Sequence, residues 1–122
     1  AMLKKICDVL YRRCVGATRY SVAGFRAALT KEEAFRLELA GLAVLVLVLL
    51  VVPWPLWKKF LLTGSYLLIL IVELLNSAIE DVCDLVSSEY SELIKNAKDK
   101  GSMAVLTALL CNVLLLIALI LL

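Results

Sequence analysis

The sequence predicts an all-α integral membrane fold: three transmembrane helices preceded by an amphipathic helix on the membrane surface. Three observations predict it. The 122 residues are 63% hydrophobic with a mean hydropathy of +0.97, against about 45–50% apolar for a soluble domain. Three runs are long enough and poor enough in charge to cross a bilayer. The basic residues fall mostly on one side of those runs.

A chain this short cannot hide so much apolar surface in a soluble core. A soluble globule, a disordered chain and a multidomain protein are therefore excluded, and a single membrane domain over residues 1–122 is expected. The chain has no histidine, which excludes imidazole catalysis and histidine-ligated metals. Cys7, Cys14, Cys83 and Cys111 form no Cys-x-x-Cys pair. They are read as small hydrophobes.

The first element, residues 2–29, carries Leu3, Ile6, Cys7, Leu10 and Cys14 at helical spacing, with Lys4, Lys5, Asp8, Arg12 and Arg13 mostly elsewhere around the helix. That is the pattern of a helix lying in the headgroup region. Gly16 and Gly24 are expected to loosen it, and no cleavable signal peptide is expected in so amphipathic a start. Thr30 followed by Glu33 has the spacing of a capping box, so a new helix is expected from Lys31. It becomes the first span, residues 31–54, which ends at Pro53-Trp54-Pro55. The prolines stop the helix, and Trp54 and Trp57 fit an aromatic belt.

The second span is expected over residues 58–90, with its last turns outside the bilayer. The third is expected over residues 92–122, where Met103 to Leu122 carries no charge. Asn112, one amide among leucines, fits interhelical glue. Eleven basic residues flank one side of the spans, and only Lys58 and Lys59 the other. The positive-inside rule then puts the N-terminus in the cytoplasm and the C-terminus outside.

The chemical signal lies on the second span. Glu73, Asn76, Ser77, Glu80 and Asp84 stand at i, i+3, i+4, i+7 and i+11, which is one helical face. Glu73 is expected roughly 10 Å below the cytoplasmic end of a ~30 Å hydrocarbon core. A carboxylate near the bilayer centre costs about 2.5–3.5 kcal/mol even on insertion scales. Three uses fit. Two carboxylates and an amide oxygen suit Mg²⁺, the deeper carboxylate suits a general base, and the whole face suits an ion path. A polar seam of protonated glutamates is the structural alternative. The path is disfavoured because Phe60 to Val72 offers only Thr63, Ser65 and Tyr66. A purely structural subunit would leave the glutamates dispensable.

The segment Ser88 to Ser102 mixes acids, lysines and Tyr90, fit either to hold phosphates or to anchor the chain by charge. No standard phosphate loop is present. Three helices cannot shield a carboxylate face from lipid, so a homo-oligomer with sites at subunit boundaries is expected.

The run Val72-Glu73-Leu74-Leu75-Asn76-Ser77-Ala78-Ile79-Glu80 and the run Ala97-Lys98-Asp99-Lys100-Gly101-Ser102 closely resemble the prokaryotic diacylglycerol kinase family. Gly24-Phe25-Arg26-Ala27-Ala28 and Glu32-Glu33-Ala34-Phe35-Arg36-Leu37-Glu38 match it too. The resemblance implies a homotrimer in the bacterial inner membrane that transfers the ATP γ-phosphoryl group to a lipid hydroxyl with Mg²⁺. It implies Glu73 as general base and Glu32 and Glu80 as metal ligands. Arg13, Tyr20, Glu32, Asn76, Glu80, Glu89, Tyr90, Ser91, Lys98 and Asp99 would meet the nucleotide. Arg13, Glu38, Glu73 and Ser102 would meet the lipid. The implied partners are ATP, a membrane lipid alcohol, the bilayer and further copies of the chain, with no nucleic acid. The family includes undecaprenol kinases, so diacylglycerol and undecaprenol both stand as acceptors.

Overall fold

A computed structural model describes residues 1–122. All regular structure is helical, in four helices: α1 (Met2–Lys31), α2 (Glu33–Val51), α3 (Leu56–Val86) and α4 (Glu92–Leu121). The chain folds into two compact units, residues 1–33 and residues 34–122.

The first unit is α1, 30 residues long, or about 45 Å at 1.5 Å per residue. It contains no proline, and Gly16 and Gly24 sit inside it without breaking it; no residue has positive φ. The expected capping box is not formed. Thr30 lies within α1, where its hydroxyl donates back to the Arg26 carbonyl at 2.9 Å and the Ala27 carbonyl at 3.1 Å. A threonine inside a helix satisfies itself this way instead of capping. The break falls two residues later. Glu32 is extended, with φ −108° and ψ 105°, and its amide donates to the Ala28 carbonyl.

The second unit holds the three helices long and apolar enough to cross a membrane. α2 starts with Glu33, a carboxylate at the positive end of the helix dipole. It stops at Val51, three residues earlier than expected. Pro53 disfavours helical backbone at the residue before it, and Pro55 then serves as the N-cap of α3 with φ −62° and ψ 153°. α3 ends at Val86 rather than 90, so Ser88, Glu89 and Tyr90 fall in the linker to α4.

α3 and α4 form the principal packed pair. Leu62, Ile69, Asn76 and Cys83 are buried on α3 at seven-residue intervals. On α4, Gly101 and Ala108 are buried, with Ile94 and Leu115 half-buried on the same repeat. A seven-residue period is that of a left-handed helix pair. Lipid is as apolar as leucine, so close packing and hydrogen bonds must hold such helices together. The small residues at 101 and 108 let the backbones approach.

Polar ties mark the register along this antiparallel pair. Lys58 Nζ donates to the Leu119 carbonyl at 2.9 Å, Asn112 Nδ2 to Ser65 Oγ at 2.7 Å, and Lys98 Nζ to Asp84 Oδ1 at 2.7 Å. Asn112 is thus interhelical glue, as its sequence setting implied. α2 joins α3 through Tyr66, whose hydroxyl donates to the Glu38 carbonyl at 2.6 Å. That hydroxyl fills the space a side chain at Gly41 would need.

Lys58 shows how the Trp-rich end is closed. It is buried, its ammonium 5.5 Å from the Trp54 ring centre and 5.7 Å from that of Trp57. It satisfies a last-turn carbonyl of α4, which has no partner within the helix, at the negative end of the dipole. Beside it Leu49, Leu62 and Leu119 form a small core with Leu45, Trp54 and Leu115. Lys58→Met is expected to lower unfolding stability by about 1.5–3 kcal/mol, the range for a hydrogen bond to a charged group. Denaturation in detergent micelles measures it. An unchanged midpoint would show that the contact holds nothing.

Candidate active site

The α3–α4 seam divides the acidic stripe. Asn76 lies in the seam and is buried. Glu73 and Glu80 are half-buried, both about 40–60° round the helix to one side of Asn76. Asp84 follows on that side and is exposed. The carboxylates therefore line one edge of the helix pair, and the amide stands between them and the partner helix.

Asn76 Nδ2 donates to Glu80 Oε1 at 3.4 Å, one turn along α3. Its Oδ1 is buried without a hydrogen-bond partner and lies against Gly101 of α4. One Glu80 oxygen is thus engaged by the amide, which leaves the carboxylate a second oxygen to offer. Glu73 is seven residues deeper, about 10 Å along the axis. It lies within electrostatic reach of Glu38 on α2, whose Oε2 is buried and unpartnered. The two carboxyls come from the consecutive helices α2 and α3.

Beyond Glu80 the stripe meets cations. Lys98 bonds Asp84 and stands within electrostatic reach of Glu80. Asp99 is paired with Lys95 at 2.6 Å, one turn away on α4. Both pairs are well exposed, so they contribute little stability but keep charged groups at the end of the stripe. Glu89, Tyr90 and Ser91 occupy the linker of residues 87–91. The Glu89 amide donates to Ser87 Oγ at 3.0 Å, Tyr90 is 83% exposed, and Ser91 is the N-cap of α4 without a side-chain cap bond. Ser102 is exposed beside Gly101.

Arg13 and Tyr20 belong to the N-terminal unit. With Arg12 and Gly16 they line an open groove along one face of α1. Glu32 sits half-buried at the extended break after that helix. The second unit therefore joins Asn76 to Glu80 and Lys98 to the end of the stripe, and brings Glu38 within electrostatic reach of Glu73.

The donor set fits Mg²⁺. That ion is held by one or two carboxylates and completes its shell with water and substrate phosphates. Glu80, bonded by an amide and within electrostatic reach of a lysine, is a carboxylate that could hold it. Within the chain no group of three or more acidic or thiol side chains gathers as a closed metal cage.

Sequence reasoning missed three contacts here. Gly101 was visible only as a motif letter, Tyr66 only as a stray hydroxyl, and Glu38 only through family resemblance. The seven-residue repeat shared by residues 62–83 and 94–115 was the available signal. It places position 101 opposite position 76.

A family model described as "prokaryotic diacylglycerol kinase" matches residues 19–121. The chain is 46% identical over 107 residues to the diacylglycerol kinase of Escherichia coli K12, covering 85% of both chains. It is 47% identical over 98 residues to that of Pseudomonas aeruginosa, covering 80% of both. The diacylglycerol kinase of Helicobacter pylori is 35% identical over 104 residues, 82% of this chain and 78% of that one.

Proposed function

The chain belongs to the prokaryotic diacylglycerol kinase family, and we propose that it transfers the γ-phosphoryl group of ATP to the hydroxyl of diacylglycerol, giving phosphatidic acid. It is a lipid kinase and a multi-pass membrane protein. The observation that carries the chemistry is the amide-held Glu80, between the deep Glu73 and Lys98 at the outer end of the stripe.

Phosphoryl transfer asks for positioning and charge neutralisation more than for covalent partners. Glu73 takes the proton of an acceptor hydroxyl that lies at the acyl–headgroup boundary. The freed oxygen attacks the γ-phosphorus, the bond to the β–γ bridging oxygen breaks, and ADP leaves. Glu80 and Glu32 would hold Mg²⁺, which when bound neutralises the β- and γ-phosphate oxygens. Asn76 keeps Glu80 in place. Lys98 and Arg13 add positive charge near the phosphates; Tyr20, Glu89, Tyr90, Ser91 and Asp99 line the nucleotide, and Glu38 and Ser102 the lipid. The working protein is an oligomer, since a carboxylate edge on one protomer needs a wall against lipid, and the family resemblance implies a homotrimer. Its N-terminus is cytoplasmic, where ATP is.

ATP consumption in mixed micelles tests this. Diacylglycerol is expected to stimulate it and to yield phosphatidic acid. Stimulation by undecaprenol instead would reassign the acceptor, and no stimulation by either would end the kinase assignment.

A further inference from the structure

Glycine in the middle of a helix lowers its stability relative to alanine. Gly101 stands ten residues into α4, on a face buried against α3. Its backbone does not need glycine, because no glycine here has positive φ. What needs glycine is space. A Cβ at position 101 would run into Oδ1 of Asn76, with the amide carbon also in tight contact at 3.1 Å.

Asn76 is 8% exposed, and its Oδ1 finds no hydrogen-bond partner. The amide is therefore held by shape, lying on the bare backbone of α4 with Nδ2 turned to Glu80 Oε1. An alanine at 101 would push Oδ1 away and swing Nδ2 off Glu80. At the other buried small position of the repeat, 108, α4 already carries alanine. The requirement for a missing side chain is local to the amide.

We propose that Gly101 is a positioning residue for the reaction: by presenting no side chain, it seats the Asn76 amide that orients Glu80. The inference rests on the assignment of Glu80 to the metal–nucleotide site. Partners that orient a metal ligand typically contribute 10–100-fold in metal affinity or activity. Glu73 belongs to the proton step and is untouched by this contact, so the Mg²⁺–ATP requirement changes more than the turnover at saturation.

The test is a cycle of Gly101→Ala, Asn76→Ala and the double variant in detergent–lipid micelles. Gly101→Ala is expected to raise the half-saturating Mg²⁺–ATP concentration about 10–100-fold, with a smaller fall in kcat. The double variant should match Asn76→Ala, because a methyl at 76 leaves nothing for the new Cβ to strike. A second readout needs no catalysis. The chain has three asparagines and no glutamine, so its side-chain amide NMR region holds three pairs of signals. The Asn76 pair should shift in Gly101→Ala while those of Asn96 and Asn112 stay.

Wild-type Mg²⁺ dependence with an unmoved Asn76 signal overturns the proposal, as does a double variant whose penalties multiply. Should Gly101→Ala fail to fold, the double variant decides. Recovery of fold to the level of Asn76→Ala supports the amide contact, and continued misfolding overturns it. If the wild-type chain consumes no ATP with a lipid alcohol, the kinase assignment fails. The amide signals still report separately on the seat.

Discussion

Glu73→Gln is expected to cut turnover about 10²–10⁴-fold, the usual weight of a general base, while fold and nucleotide affinity persist. The amide keeps the shape of the side chain and removes its capacity to take a proton. Glu73 lies apart from the amide-held Glu80, so Mg²⁺–ATP binding has no reason to change. Single-turnover phosphorylation of diacylglycerol measures the chemistry, and nucleotide binding measured on the same preparation supplies the control. Near-normal turnover would remove Glu73 from the proton step. Lost nucleotide affinity would place it in the phosphate site.

Glu80→Ala and Glu32→Ala are expected to raise the Mg²⁺ and ATP requirements together, because the metal and the β/γ-phosphates bind as one unit. Each should move the half-saturating Mg²⁺ concentration by more than Gly101→Ala does, since on the proposed assignment a ligand is removed rather than turned. Unchanged Mg²⁺ dependence in either variant excludes that residue from the metal shell. The same variants probe assembly. Glu73→Gln subunits mixed with Glu32→Ala subunits regain activity if a site takes Glu73 from one protomer and Glu32 from another. If each protomer carries a whole site, no mixing ratio restores it.

The three spans were legible because bilayer thickness imposes length and apolarity together, and Leu39 to Trp57 or Met103 to Leu122 can satisfy both only by crossing. The interruption between α1 and α2 was legible to within two residues, but through the wrong device. Thr30 has the spacing of a cap, and spacing cannot tell whether a hydroxyl will bond forward to an amide or back to a carbonyl. The acidic stripe was legible as a face because 100° per residue is fixed by the backbone. Its division was not. Which edge of that face meets α4 depends on Leu62, Ile69 and Cys83 as much as on the polar residues, and those look like any other apolar residues in a membrane span. Glu38 beside Glu73 and Tyr66 over Gly41 were out of reach, since they depend on how α2 leans on α3. A positive-inside count treated Lys58 as a solvated charge, whereas it closes the end of α4.

The repeat that packs α3 on α4 also sets what happens when the hairpin is threaded wrongly. The repeat is apolar at Leu62, Ile69 and Cys83 on α3 and at Ile94, Ala108 and Leu115 on α4, so a slip of one repeat would still set apolar side chains against one another. Asn76 would then face Ile94 or Ala108 in place of Gly101, Asn112 would lose Ser65, and Lys58 would leave the Leu119 carbonyl. A misthreaded chain would leave the Asn112 amide and the Lys58 ammonium without these partners, at about 1–2 kcal/mol for the amide and about 1.5–3 kcal/mol for the ammonium. The polar rungs thus favour the native register over its one-repeat slips. Because one layer of the seam seats the Asn76 amide that bonds Glu80, the register of the hairpin and the setting of that carboxylate are fixed by the same contacts.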